Sequence, residues 1–390
     1  MNIGIFTDTY FPQVSGVATS IKTLREQLEK QGHQVYIFTT TDPKVDKNVY
    51  ERNIFRFASV PFVSFTDRRI AVAGFLKAVQ VAKELNLDIV HTQTEFSLGW
   101  MGKFVAKNLK IPCIHTYHTM YEDYLHYVAN GKILKPYHVK QLTRGFTYHM
   151  DGVVAPSERV LNTLTGYGVK IPIRVIPTGV NISKYARRDD TNWRVKFGYE
   201  DETPLLLSLS RLAYEKNIQE VISSFPAVLK EVPSAQLLIV GDGPARETLE
   251  AQVKDLNLSS NVRFTGEIDN DRVYQFYQMA DLFVSASDSE SQGLTYIEAL
   301  ASGLKVVAKT GPYTDELLDD VSLGKTFDTE SDLVSAIKDY IENPDKYNDP
   351  KPREQKLYEI SADFFGKRVV DFYRDVIASY TDVQTDSDLT

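Results

Sequence analysis

Short apolar runs alternate with amphipathic stretches along almost the whole chain, and the pattern is run through twice. A strand of a parallel sheet is buried on both faces, so it reads as a continuous apolar run. The helix that carries the chain to the next parallel strand reads as an amphipathic stretch with one apolar face. In the first half the runs fall at residues 3–8, 35–39, 54–57, 88–92, 113–116, 153–155 and 175–177. A second series follows at 205–209, 236–240, 262–265, 281–286 and 305–308. Such alternation predicts βαβ units and an α/β fold, with one architecture used twice. With 390 residues there is room for two domains, each with its own core. The expected division is a first domain over 1–178, a second over 179–360, a helix over 361–380 that packs back on the first, and an acidic, disordered tail over 381–390.

Composition narrows the class. The apolar and charged fractions, 43% and 25%, are those of an ordinary soluble globular protein. The single cysteine, Cys113, excludes an internal disulfide and agrees with a reducing compartment. Ile111 and Ile114 beside it predict a buried strand thiol rather than a nucleophile. Met1 runs straight into an apolar strand, and no apolar run approaches the roughly 20 residues that span a bilayer. A cytoplasmic location is therefore expected. Charge is divided unevenly: Lys and Arg outnumber Asp and Glu by 21 to 14 over residues 1–180, and are outnumbered by 38 to 23 beyond. A basic half on an acidic chain suits an anionic surface, membrane or nucleic acid; the alternative is scattered, solvated charge.

The stretch with most chemistry is 284–302, where a strand, a polar turn holding Glu290 and a helix starting near Gly293 follow one another. The first backbone N–H groups of that helix, at Gly293, Leu294 and Thr295, favour an anion. Glu298 lies further along the helix, so two carboxylates flank an electropositive helix end. That arrangement fits a ligand with phosphate in the middle and hydroxyls on both sides; it also fits a surface helix with two solvated glutamates. Arg211 and Lys216 follow the strand at 205–209, at the strand end where open α/β sheets bind ligands, and would clamp a diphosphate or else pair with acidic neighbours. Gly241-Asp-Gly-Pro reads as a tight turn or a loop lining a nucleotide. A lone glycine, Gly16, opens the first helix. His118, two residues past a strand end with His115, Glu122 and Asp123 near it, reads equally as structural or catalytic. No complete G-x-G-x-x-G, P-loop, zinc spacing or G-x-S-x-G occurs, and no Asp-x-Asp follows a strand.

Taken together, Phe6-Thr-Asp-Thr-Tyr-Phe-Pro, Arg211-x4-Lys216 and Glu290-x7-Glu298 resemble the retaining glycosyltransferases of family 4, over nearly the whole chain. The narrower likeness, carried by Pro12-Gln-Val-Ser-Gly-Val-Ala-Thr-Ser, His91-Thr-Gln-Thr-Glu-Phe-Ser-Leu-Gly and His115-Thr-Tyr-His-Thr-Met-Tyr-Glu-Asp-Tyr, is to Gram-positive glycolipid synthases. The resemblance implies the GT-B fold, two Rossmann-like domains facing across a cleft, and transfer of a hexose, glucose from UDP-glucose, onto diacylglycerol. A second-step enzyme acting on monoglucosyldiacylglycerol and a family member with a soluble acceptor are the alternatives. It assigns Glu290 to donor-sugar hydroxyls, Glu298 to ribose hydroxyls, Gly293, Leu294 and Thr295 to backbone donation, and Arg211 with Lys216 to the diphosphate. Gly241 and Ile268 join the nucleotide-sugar set, Gly16 matches a glycine facing the diphosphate, and His118 matches a histidine near the reacting carbon. Relatives often carry two glycines in the first loop, whereas Ser15 precedes Gly16 here. The partners implied are a nucleotide sugar, a diacylglycerol acceptor and anionic lipids of the inner membrane face, with no essential metal or other cofactor.

A membrane-facing surface is expected from 60–79 and 121–149, which place Phe62, Phe65, Tyr121 and Tyr124 among Arg68, Arg69, Lys132, Lys135, Lys140 and Arg144, with an amphipathic helix over 132–149. A core helix with solvated charges is the alternative. Two other classes compete: a nucleotide-sugar epimerase on the same fold, and a nucleic-acid-binding module, which no recognised motif supports.

Overall fold

The structure is a computed structural model that describes residues 1–13, 15–46, 49–62, 65–120, 135–187, 190–290 and 292–388; for 62, 65–68 and 383–388 it describes the backbone alone. The chain divides into two units, Met1–Gly179 with Ala362–Thr390, and Val180–Ser361.

The first unit is built on β1 (Asn2–Phe6), β2 (Gln34–Thr40), β3 (Ile54–Phe57), β6 (Ile89–Thr92), β7 (Cys113–Thr116), β8 (Gly152–Ala155) and β9 (Ile173–Val175). They form one parallel sheet in the order β3-β2-β1-β6-β7-β8-β9. Burial explains the apolar runs: four of the five β1 residues, and every residue of β6, β7 and β8, are buried. Between β3 and β6 the chain makes an antiparallel hairpin, β4 (Ser59–Phe62) with β5 (Phe65–Ala71), and then a helix, Phe75–Glu84. The stretch 60–79, expected at a membrane-facing surface, is therefore a hairpin followed by the start of a helix. Thr66, Val60 and Ile70 are β-branched, and Gly74, at φ 110°, separates the hairpin from the helix.

The second unit repeats the design with β10 (Leu205–Leu209), β11 (Gln236–Val240), β12 (Val262–Phe264), β13 (Leu282–Ser285), β14 (Lys305–Lys309) and β15 (Gly324–Phe327). Their order is β12-β11-β10-β13-β14-β15, all parallel. In each sheet the winding reverses beside the first strand, between β1 and β6 and between β10 and β13. Ligands of open α/β sheets lie beyond the carboxyl ends of strands at such a switch point. The loops there carry residues 7–13 and 93–96 in one unit, and residues 210–217, 286–290 and 292–293 in the other.

The C-terminal helix, Ala362–Asp388, belongs to the first unit. Phe365, Val369, Val370, Phe372, Tyr373 and Val376 join Ile3, Ile5, Ile21 and Ile114 in one core. Burying each large side chain contributes roughly 1.5–3 kcal/mol. Lys30 pairs with Asp363 at 2.8 Å, and Arg174 with Asp375 at 2.8 Å. The helix runs on to Asp388, where the sequence predicted disorder from residue 381. No glycine or proline interrupts 381–388, and the Thr381 hydroxyl donates to the Ile377 carbonyl one turn earlier at 2.9 Å.

Candidate active site

The second unit assembles its residues from two loops. Past β10, a single helical turn, Tyr214–Lys216, aims Lys216 at the loop past β13. There Lys216 Nζ lies 2.6 Å from Glu290 Oε1, with the side chains 17% and 15% exposed. The Ser287 hydroxyl donates to the same oxygen at 2.9 Å, and Ser289 Oγ donates to the Glu215 carbonyl at 3.1 Å, tying one loop to the other. A charge-assisted bond this short in a half-buried place is stronger than a surface pair. Arg211 stands exposed at the head of the first loop.

Gly293 sets the helix start. It has φ 55° and ψ 69°, and a Cβ there would sit 2.8 Å from the Tyr296 ring and 3.1 Å from Tyr313. Only glycine suits both the left-handed backbone and the space. The helix Leu294–Ala301 follows as expected, and Gly293 offers no side-chain cap to its first N–H groups. Ser210 and Arg211 approach the neighbouring turn at Gly241, where φ is 132° and a Cβ would lie 1.9 Å from the Ser210 carbonyl oxygen. Its N–H donates to Gly266 at 3.0 Å, so Gly241 lets two strand-end loops pack closely. Pro244 sits in the turn before the next helix, which opens at Arg246. Ile268, in the loop past β12, is half-buried against the core that contains Tyr185, Tyr277 and Tyr296.

Glu298 is placed differently from Glu290. It is 5% exposed, and its two oxygens accept from Tyr185 and Tyr277, each at 2.8 Å. Burial holds its carboxyl above the usual Glu range, against the pull of the two tyrosine hydrogen bonds.

The first unit gathers a histidine cluster at the ends of β6 and β7. His91 is fully buried between Tyr373 and Thr116, at 2.7 Å to each. His115 meets Thr92 at 2.9 Å and Glu95 at 3.1 Å. His118 Nε2 lies 2.7 Å from Gln93 Oε1. Burial, with His115 beside it, pushes the His118 imidazole down to about 4, Glu95 acting the other way. The ring is therefore neutral at pH 7. Gly16 is the first residue of its helix, and Ser15 caps that helix by accepting from the Ala18 N–H at 3.1 Å. Asp8, in the loop past β1, accepts from Thr94 at 2.7 Å and from the Leu98 N–H at 3.1 Å; it also meets Ser97. It thereby anchors the start of the helix Ser97–Leu109 to the switch point.

Residues 14–184 match the family Glycosyltransferase Family 4, and residues 189–357 match Glycosyl transferases group 1. The chain is 52% identical, over 97% of its length and 87% of the relative's, to the alpha-monoglucosyldiacylglycerol synthase of Streptococcus pneumoniae. It is a family 4 glycosyltransferase. The synthase of the same name from Acholeplasma laidlawii is 32% identical over 88% of this chain and 89% of its own. Among solved structures, Anabaena HepE in complex with UDP superposes with TM-score 0.76 at 18% identity, covering 96% of this chain and all of that one. The sucrose-phosphate synthase of Thermosynechococcus elongatus gives 0.77 at 21% identity, covering 97% and 99%. Both establish the GT-B fold.

For this family 4 glycosyltransferase, the structure brings Lys216, Glu290 and the helix start at Gly293 together in one unit. The expected surface residues are more scattered. Tyr121, Tyr124 and Lys132 lie outside the described residues, as do the side chains of Phe62, Phe65 and Arg68. Arg69 donates to the Ser59 hydroxyl at 2.9 Å and to the Ser59 carbonyl at 2.6 Å, pinning the hairpin. The predicted helix over 132–149 is observed as Pro136–Thr147, with Lys135 and Arg144 exposed and Lys140 half-buried, 3.3 Å from the Gly166 carbonyl. An aromatic surface that the sequence reading missed lies on the helix Ser97–Leu109. Trp100 is 47% exposed and packs edge-on to Phe146; Phe104 packs edge-on to Phe75, whose neighbour Leu76 is 79% exposed. Lys103 joins the first pair, 4.7 Å over the Trp100 ring and 2.8 Å from the Tyr148 carbonyl. Among the described residues, no helix is long and apolar enough to cross a membrane, and no His, Cys, Asp and Glu group has the arrangement of a metal site.

Proposed function

We propose that this chain transfers glucose from UDP-glucose, with retention of configuration, to diacylglycerol, forming α-monoglucosyldiacylglycerol at the inner face of the cell membrane. The 52% identity with the pneumococcal synthase, over nearly the whole chain, carries the choice of acceptor. The geometry supports the donor chemistry. Lys216 and Arg211 stand at a strand end where a diphosphate would sit, beside first-turn N–H groups that favour an anion. These groups stabilise negative charge on the departing nucleoside diphosphate as the acceptor hydroxyl arrives on the same face of the sugar. Glu290, already oriented by Ser287, accepts from donor-sugar hydroxyls. Each Glu298 oxygen keeps a second lone pair for a ribose hydroxyl beside its tyrosine. His118, uncharged, meets the reacting sugar as a hydrogen-bonding partner rather than as a cation.

A lipid acceptor leaves the bilayer at a cost of about 0.8 kcal/mol per exposed CH₂, so the enzyme must come to it. The exposed Trp100, Phe104, Phe75 and Leu76, with Lys107 and Lys77 beside them, have the composition of an interfacial face. Mass spectrometry of lipids formed from a panel of nucleotide sugars tests the reading. UDP-glucose with diacylglycerol should yield the monoglucosyl lipid, and turnover should persist in EDTA. Product formed only from a monoglucosyl acceptor would favour the second-step enzyme. Loss of turnover in EDTA, restored by Mg²⁺ or Mn²⁺, would replace the metal-free mechanism.

A further inference from the structure

Resting on the roles proposed above, which give Lys216 the diphosphate and Glu290 the sugar hydroxyls, we infer that the Lys216–Glu290 ion pair makes the donor site discriminate. It favours an intact nucleoside diphosphate sugar over the nucleoside diphosphate left after transfer, and Glu290 is the residue that weakens the hold on that product. Two groups meant for different parts of one ligand are bonded to each other, Lys216 Nζ to Glu290 Oε1 at 2.6 Å. Both loops hold them there. Lys216 closes a turn whose preceding residues, Leu212 and Ala213, are buried. The Leu212 N–H donates to the Asp242 carbonyl and the Leu212 carbonyl accepts from the Ala245 N–H, each at 2.9 Å. On the other loop, the Ser287 hydroxyl donates to the same Glu290 oxygen at 2.9 Å. The Ser289 hydroxyl, 3.1 Å from the Glu215 carbonyl, ties the two loops together.

A phosphate approaching Lys216 meets a cation whose charge Glu290 already offsets, and the carboxylate repels the phosphate's own charge. In a half-buried place salt screens that repulsion less than at the surface. A nucleoside diphosphate alone meets only the unfavourable side of Glu290. A sugar on the second phosphate brings hydroxyls that donate to the carboxylate, so the same charge becomes a strong acceptor. Discrimination of this kind uses a repulsive element as well as an attractive one. Once the sugar has left, the attraction goes with it and the repulsion stays, which speeds release of the product. An ion pair that only tied the loops would show, when Glu290 is neutralised, a lower Tm and no gain in affinity.

Titration of the full chain with UDP, UDP-glucose and uridine tests the discrimination. Glu290→Gln should bind UDP about tenfold tighter than the parent, the gain from removing one charged competitor for Lys216. It should bind UDP-glucose no tighter than the parent does, and uridine, which has no phosphate, equally well. Glu290→Ala should show the same gain for UDP. No gain for UDP, or a gain of the same size for UDP-glucose or uridine, overturns the inference. If Lys216→Ala keeps the parental affinity for UDP, the role of Lys216 itself fails. If Lys216→Ala loses UDP while Glu290→Gln gains nothing, the discrimination alone fails. Should neither Glu290 variant fold, the parent decides: UDP-glucose should bind more tightly than UDP, and the reverse order overturns the inference.

Discussion

Two glutamates eight residues apart occupy opposite environments, and each gives a separate test. Glu290 is half-buried and paired with Lys216 at 2.6 Å, whereas Glu298 is buried and held by two tyrosine hydroxyls. Lys216→Ala should lower kcat by about 10²–10³, the usual loss for one charge-stabilising donor, while thermal unfolding still shows two intact cores. Turnover within a few-fold of the parent would remove Lys216 from the diphosphate clamp. Glu298 makes stability depend on pH. Its folded-state carboxyl titrates above the usual Glu range, so the folded protein holds the proton more tightly than the unfolded chain does. Its contribution is complete below the ordinary Glu value and fades as pH rises through the raised one. Glu298→Gln should remove that component, flattening the fall in Tm as the pH rises above the ordinary Glu value. Scanning calorimetry at several pH values checks it, and an unchanged slope would mean that Glu298 does not titrate there.

At the level of elements, what was legible followed from burial on both faces. The β1, β6, β10, β11 and β13 segments are apolar enough to be read singly, and their recurrence indicated two doubly wound sheets. The edge strand β15 and the hairpin strands β4 and β5 were not legible for the same reason. β15 has one neighbour in the sheet and carries Lys325 and Thr326 in its centre, so no apolar run marks it. The helix start at Gly293 was readable because glycine, strand and apolar spacing agreed. The Gln93–His118 contact was not, since it joins two loops 25 residues apart that only sheet order makes neighbours. Trp100 and Phe104 were missed because the buried face of their helix, Leu98, Met101 and Val105, is equally apolar, which hides the exposed face. The C-terminal helix is testable as an element. Tyr373→Phe removes the hydroxyl that meets buried His91 at 2.7 Å and should cost about 1–3 kcal/mol in urea unfolding of the first unit. Truncation after residue 382, beyond the core contacts of Val376 and Ile377, should leave that transition where it was. A truncated chain as unstable as Tyr373→Phe would show that the last turns of the helix are needed.

Across the whole molecule, basic and acidic side chains divide unevenly between the two units. The C-terminal helix returns three basic and six acidic residues to the first unit, which then holds 24 basic against 20 acidic side chains. That excess is too small to overcome the chain's net charge of −8 by itself, so the membrane attraction proposed above requires a local and partly apolar surface. The first unit meets that requirement on the helix Ser97–Leu109, where Trp100 and Phe104 lie one turn apart with Lys107 on the same side. Exposed Leu142 and Tyr148, with Arg144, extend the character of that surface at the helix Pro136–Thr147. Each basic group near an anionic surface contributes roughly 1 kcal/mol, and the aromatic rings add insertion that charge does not govern. The two contributions separate in liposome co-sedimentation. Replacing Trp100 and Phe104 by Ala should weaken binding to neutral and anionic vesicles alike. Charge reversal at Lys107, Lys135 and Arg144 should weaken binding only to anionic vesicles, by about fivefold per residue at low salt, with the difference closing as salt rises. Equal binding by the parent to neutral and anionic vesicles would eliminate the electrostatic part. Full binding by the Trp100→Ala, Phe104→Ala double variant would move the insertion site off this helix.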